Sequence, residues 1–171
     1  RSATIEGHLE EDGSGKVVLC RDIRSAPECQ DLPYNTSLQI QAPDGSCVFE
    51  EEIYAAHTKS FYQPQEILLP EVQLWDVDAP NLYTVILSVS SREGISSYTK
   101  RIGFRRFYFE PHGPFYLNDS RLLLQGTHLH EDHAGVAAAV PEEVTRKDLE
   151  LMSEMGVNFI RLGHYPHSEY T

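Results

Sequence analysis

The sequence predicts a mainly β chain in two parts. Residues 1–108 read as an antiparallel β-sandwich of immunoglobulin-like type, and residues 109–171 as the βαβ opening of an α/β unit. Three observations carry this. Short runs that alternate apolar and polar residues fill the first part, separated by turn sequences. The one convincing helical stretch begins only near Pro141. Apolar strand-like runs flank that helix, and each leads into a turn that bears histidines.

In the first part, Leu38 and Ile40 alternate with Ser37, Gln39 and Gln41. Val85, Leu87 and Val89 alternate with Thr84, Ser88 and Ser90, and only Ile86 breaks the polar face. Period two with one apolar face is the pattern of a half-buried strand. The turn sequences are Asp12-Gly13-Ser14-Gly15, Pro43-Asp44-Gly45-Ser46, Asp78-Ala79-Pro80-Asn81 and Arg92-Glu93-Gly94. Ser25 to Tyr34, with two prolines, reads as a long loop. The acidic run Glu50-Glu51-Glu52 suits a solvated face or a strand edge, where charge discourages pairing with other chains. Trp75, Pro80 and Tyr83 read as core packing and a fixed corner rather than as a stacking platform for a sugar.

After Phe109 the character changes. Phe115 to Leu124 reads as a hairpin turning on Asn118-Asp119, with Leu122–Leu124 entering Gly126 as the first parallel strand. The helix starts near Pro141, which needs no donor in a first turn, and Glu142 and Glu143 suit the positive end of its dipole. Val144, Leu151 and Met155 share one face beside Met152, and Gly156 marks the stop. Val157 to Leu162 is the next strand, apolar enough to be covered on both sides. Strand, helix, strand implies parallel pairing through a right-handed crossover. The ends of such strands are where α/β folds build their sites.

Composition narrows the functional classes. The chain has 171 residues and a formal net charge of −12, so it lacks the basic surface that nucleic acid requires. No segment is long and apolar enough for a membrane-spanning helix. A closed eight-stranded α/β barrel needs roughly 200 residues or more, so the second part is expected to belong to something larger. Cys20, Cys29 and Cys47 form neither a disulfide framework nor a zinc knuckle; a Cys20–Cys29 bridge is open, with free thiols favoured. Arg1-Ser2-Ala3-Thr4 runs straight into strand-like sequence without a leader, and a soluble, cytoplasmic setting is favoured.

Several stretches together resemble family two of the glycoside hydrolases, the group of β-galactosidases and β-glucuronidases. They are Leu74-Trp75-Asp76 with Pro80-Asn81-Leu82-Tyr83, Ile102-Gly103-Phe104-Arg105-Arg106, and Phe115-Tyr116-Leu117-Asn118 with Leu124-Gln125-Gly126. His130-Glu131-Asp132-His133, Asp148-Leu149-Glu150-Leu151-Met152 and Arg161 with His164-Tyr165-Pro166 complete the series. The resemblance implies a sandwich leading into a truncated (β/α)8 barrel. It also implies retaining hydrolysis of terminal β-linked sugars by a longer parent, β-galactosidase-like. The family's two catalytic glutamates would lie beyond Thr171, so no catalytic residue is expected in this chain. His130 and His164 would bond sugar hydroxyls, and Arg161 would sit beside the nucleophilic carboxylate and hold it ionised. Two departures from the commoner pattern, His128-Leu129 for Asn-Arg and Gly163 for Ser, bear on the sugar rather than on the family. No cofactor is expected here, and a divalent cation is admitted for the parent. Expected partners are a β-linked carbohydrate, neither nucleic acid nor membrane, and a second copy through exposed barrel strands.

Two readings compete. His128, His130, Asp132 and His133 spell H-x-H-x-D-H, the spacing that metallo-β-lactamase-type hydrolases use for two zinc ions. That fold requires αβ layers before the motif and further ligands after it, whereas here a sandwich precedes it. The other alternative is a non-catalytic immunoglobulin-like interaction module.

Overall fold

The computed structural model describes residues 2–24, 34–55 and 60–171. The expected loop after Ser25 and the residue Cys29 lie outside the described residues. Seven strands build the first part: β1 (Ser2–Leu9), β2 (Gly15–Arg24), β3 (Tyr34–Gln41), β4 (Cys47–Ala55), β5 (Ser60–Leu69), β6 (Tyr83–Ser91) and β7 (Gly94–Ile102). They form two antiparallel sheets, in the orders β1-β2-β5 and β4-β3-β6-β7. Alternation puts one face of each sheet into a shared core of Ile5, Val17, Leu19, Leu38, Ile40, Ile67, Leu69 and Val85.

Local chemistry makes the turns. Asp12 accepts bonds from the backbone N–H and hydroxyl of Ser14 at 2.9 and 2.6 Å, and Asp44 does the same for Ser46. Two of the four edge strands, β4 and β5, carry features that oppose further pairing. The acidic run lies on β4, where the Glu51 carboxylate accepts from Gln65, and Pro64 lies on β5. Cys47 is an exposed thiol.

The corner expected around Trp75 and Tyr83 is built from backbone closure. Tyr83 is buried in the core, and its hydroxyl accepts from the Gln73 N–H at 2.8 Å. Phe104 meets Tyr83 edge-to-face with centroids 4.9 Å apart, and its carbonyl accepts from the Trp75 N–H. Trp75 lies so close to Gly103 that a Cβ there would sit 2.9 Å from it. Pro80 is exposed and pairs with Trp75 as an isolated bridge. The side-chain amide of Asn118 donates to the Trp75 carbonyl at 2.9 Å, and Arg106 pairs with Asp119.

Beyond the sandwich, β8 (Phe107–Phe109), β9 (Phe115–Leu117) and β10 (Ser120–Leu122) form a three-stranded sheet in the order β10-β9-β8. Asn118 and Asp119, with φ of 49° and 64°, make the hairpin turn expected of them. Then come β11 (Gly126–Leu129), α1 (Glu142–Glu154) and β12 (Phe159–Leu162), with β11 and β12 paired in parallel. The described chain divides into two compact units: Arg1–Phe107 with Leu117–Asp119, and Tyr108–Tyr116 with Ser120–Thr171.

Two expectations for the second unit need correction. Leu122–Leu124 is not the first parallel strand. Leu122 ends β10, and the backbone from Leu123 to Gln125 is satisfied by Asn158, whose side chain donates to the Leu123 carbonyl and accepts from the Gln125 N–H. The parallel strand is Gly126–Leu129, so His128 lies within it rather than in the turn. The inner face of α1 is also displaced. It runs through Thr145, the helix's one buried residue, with Val144, Asp148, Leu149 and Met152 half-buried, while Leu151 and Met155 are exposed. The helix stops where Gly156 takes φ 83° and the N–H groups of Gly156 and Val157 return to the carbonyls of Ser153 and Met152.

Two nearby phenylalanines give opposite expectations for stability. Phe104 is 0% exposed and Phe107 is 59% exposed. Phe104→Ala should cost about 3–5 kcal/mol in urea unfolding, and Phe107→Ala about 0.5 kcal/mol or less. Equal losses would show that the core does not close on Phe104.

Candidate functional site

The pairing of β11 with β12 sets the geometry of the site. The register places Gly126 against Phe159, His128 against Arg161 and Leu129 against Leu162. Side chains alternate along a strand, so His128 and Arg161 share one face of the pair, and the buried Leu129 points to the other. Both strands end at the same level, where the Gly163 N–H donates to the Leu129 carbonyl at 2.7 Å.

Just past that end the rings gather. His130 and His164 have centroids 5.5 Å apart and nearly perpendicular planes. His128 is 5.9 Å from His130, and Tyr165 stands 5.8 Å from His130 and 6.0 Å from His164. His164 and His128 are exposed and His130 is half-buried, so the rings are open to a solute. Of the three residues expected to bind substrate, the structure thus brings His130 and His164 together. Arg161 lies on the His128 face of β12, exposed.

Gly163 makes this arrangement possible. A Cβ built there would stand 2.9 Å from both Cε1 and Nδ1 of the His130 ring and 3.1 Å from the Leu129 carbonyl oxygen. The departure from serine at this position therefore has a steric meaning. The missing side chain leaves the space that the His130 ring occupies.

Glu131 and the residues after His164 were not expected to interact, and they form the most connected polar cluster of this unit. The Glu131 carboxylate accepts from the Ser168 N–H at 2.9 Å, from the Ser168 hydroxyl at 2.5 Å and from the Thr171 hydroxyl. His167 Nδ1 stands 3.7 Å away, and its Nε2 reaches the Gly163 carbonyl at 3.1 Å. The Glu131 N–H donates to the Tyr165 hydroxyl at 2.8 Å, and Tyr165 stacks on His167 with centroids 4.9 Å apart. The Ser168 hydroxyl, then that of Thr171, holds the carboxyl of Glu131 down to about 2, with the Ser168 N–H and His167 adding to the effect. Glu131 is thus an anion at neutral pH with its oxygens occupied, which disqualifies it as a general acid there. Sequence gave no signal for this cluster beyond the motif that contains Tyr165, because its partners are 34 to 40 residues apart.

Among the described residues no group of three or more His, Cys, Asp or Glu side chains is placed to hold a metal ion. His133 is drawn into a tight loop, exchanging backbone bonds with Ala137, and its Nδ1 lies 3.0 Å from the Ala134 carbonyl oxygen. His128 and His130 remain neighbours, whereas the backbone of His133 closes a turn with Ala137.

The profile of the glycosyl hydrolases family 2 matches residues 3–105, and that of the family's TIM barrel domain matches residues 111–171. A β-galactosidase of Thermoanaerobacterium thermosulfurigenes is 35% identical over 136 residues, covering 78% of this chain and 19% of that protein. A β-glucuronidase of Bacteroides fragilis is 33% identical over 138 residues, covering 78% and 20%. The crystal structure of Parabacteroides merdae β-glucuronidase superposes with a TM-score of 0.84 at 35% identity, over 99% of this chain and 21% of that one. The chain therefore spans about a fifth of the length of these relatives.

Two outcomes follow from the geometry. Gly163→Ala should displace the His130 ring, read as a changed imidazole chemical shift and a loss of about 1–3 kcal/mol in stability; an unmoved ring with full stability would show that the space is not needed. On acidification, Glu131 should hold its clamp until well below the ordinary value of 4.5. Its folded-state value is depressed, so the stabilisation is present above the ordinary value and is lost as pH falls toward about 2. The Ser168 amide resonance, followed by NMR, should shift in that window; a shift centred near neutral pH would contradict the assignment.

Proposed function

The chain belongs to the glycosyl hydrolases family 2, and on that premise we propose that it is part of a longer retaining β-glycosidase, β-galactosidase-like, that removes terminal β-linked sugars. In this reading residues 1–108 are the sandwich domain, and residues 109–171 supply the first strands of the barrel. One observation carries the site assignment: His130 and His164 stand 5.5 Å apart at the common end of two parallel strands. Each neutral imidazole offers one donor and one acceptor, so the pair can read adjacent hydroxyls of a sugar in either sense. Arg161 supplies a cation beside the nucleophilic carboxylate of the parent and keeps it ionised.

Retaining chemistry needs two carboxylates about 5–5.5 Å apart, one as acid/base and one as nucleophile. Glu131 and Asp132 are consecutive in the chain and Glu131 is fully engaged, so this pair does not meet the requirement. Both catalytic carboxylates are assigned to the rest of the parent, and the isolated chain is expected to be inactive. The apolar side chains of Leu123, Leu151, Met155, Phe159 and Leu162 are exposed. Further barrel elements would cover them in the parent, and a second copy would cover them in the isolated chain. A β-glucuronide is the second reading of the sugar, favoured by the likeness to the Parabacteroides merdae enzyme.

In the full-length protein, His164→Phe and His130→Phe should each lower kcat/KM on a chromogenic β-galactoside by on the order of 2–4 kcal/mol, with little change in melting temperature. Wild-type kinetics in both variants would remove the histidines from the sugar site. Faster turnover of the matching glucuronide would move the assignment to the second reading.

A further inference from the structure

The segment from Gly163 to Thr171 follows β12 and carries His164, yet it has no strand or helix of its own. Most of its side-chain anchors converge on Glu131. Tyr165 is held near its beginning through the Glu131 N–H, and Ser168 and Thr171 near its end through the carboxylate. Between them lies the His167 ring, 4% exposed, with Nε2 on the Gly163 carbonyl. Its Nδ1 has no hydrogen-bond partner and faces the Glu131 carboxylate at 3.7 Å. The Glu131 side chain is itself only 15% exposed. Since Glu131 directly follows His130, one residue is continuous with the first ring of the site and bonded to the segment that bears the second.

We propose that Glu131 is a positioning residue for the sugar site, holding the Gly163–Thr171 segment so that His164 and Tyr165 face His130. This rests on the sugar-binding reading of the two histidines. The carboxylate suits the task because it accepts several bonds at once and donates none. Glu131→Gln keeps the shape but puts an amide, itself a donor, among the donors of Ser168 and Thr171. At least one of those bonds must then be lost.

The test couples two residues. In the full-length protein, Glu131→Gln should lower kcat/KM on the chromogenic galactoside about ten- to a hundredfold, chiefly through kcat. In a His164→Phe background the same change should cost less than about twofold, because the ring it positions is gone. Equal losses in both backgrounds, with His164→Phe itself impaired, would overturn the positioning role and leave the sugar reading intact. In the 171-residue chain, Glu131→Gln should weaken the through-space NMR contacts between the His130 and His164 rings; unchanged contacts would overturn the proposal whatever the kinetics. If Glu131→Gln does not fold, Ser168→Ala removes a single hydroxyl, and it should shift the same contacts in the same direction. Histidine variants with wild-type kinetics, alongside ring contacts that do respond to Glu131→Gln, would overturn the sugar reading and with it the role in that site.

Discussion

The parallel register between Gly126–Leu129 and Phe159–Leu162 is the constraint on which the rest of the second unit depends. A slip by one residue would reverse the faces of His128 and Arg161 and separate the levels of His130 and His164. Asn158 opposes such a slip. Its side chain and backbone together make three bonds to the Leu123 and Gln125 backbone, just before the partner strand begins. A polar side chain thereby takes the place of one further step of the ladder, and it does so where the chain must turn from a hairpin into a barrel-like pair.

From that register the site follows through short-range sterics and hydrogen bonds. Gly163 leaves room for the His130 ring, and its own N–H bonds back to Leu129. Glu131 then gathers the hydroxyls beyond His164 into one cluster. The carboxylate remains charged because hydroxyl donors surround it, which turns a potential acid into a fixed acceptor. Binding and positioning are thus divided between neighbouring residues of a single short turn.

The two units differ in how completely they satisfy themselves. The sandwich closes on its own core, with Phe104 and Tyr83 fully inside, and two of its edge strands, β4 and β5, carry charge or proline. The second unit shows apolar side chains on its helix and on both sides of its strand pair.

Much of this was legible in the sequence, because the relevant forces act locally. Period-two alternation selected Leu38, Ile40, Val85 and Leu87 for the core, Asp-Gly-Ser shaped two hairpins, and Asn118-Asp119 could tolerate the positive φ that their turn requires. The motifs around His130 and His164 put both residues at strand ends. The choice between Leu122–Leu124 and Gly126–Leu129 as the parallel strand was not local: both runs are short, and Asn158, more than thirty residues away, decides between them. The face of α1 was likewise ambiguous, since apolar residues lie on two sides and only packing selects Thr145 over Met155. The Glu131 cluster and the fate of His133 were decided by tertiary structure alone. Hydrogen bonds between residues far apart leave no periodic trace in the chain, and a ligand-like spacing says nothing about the turn that the His133 backbone closes.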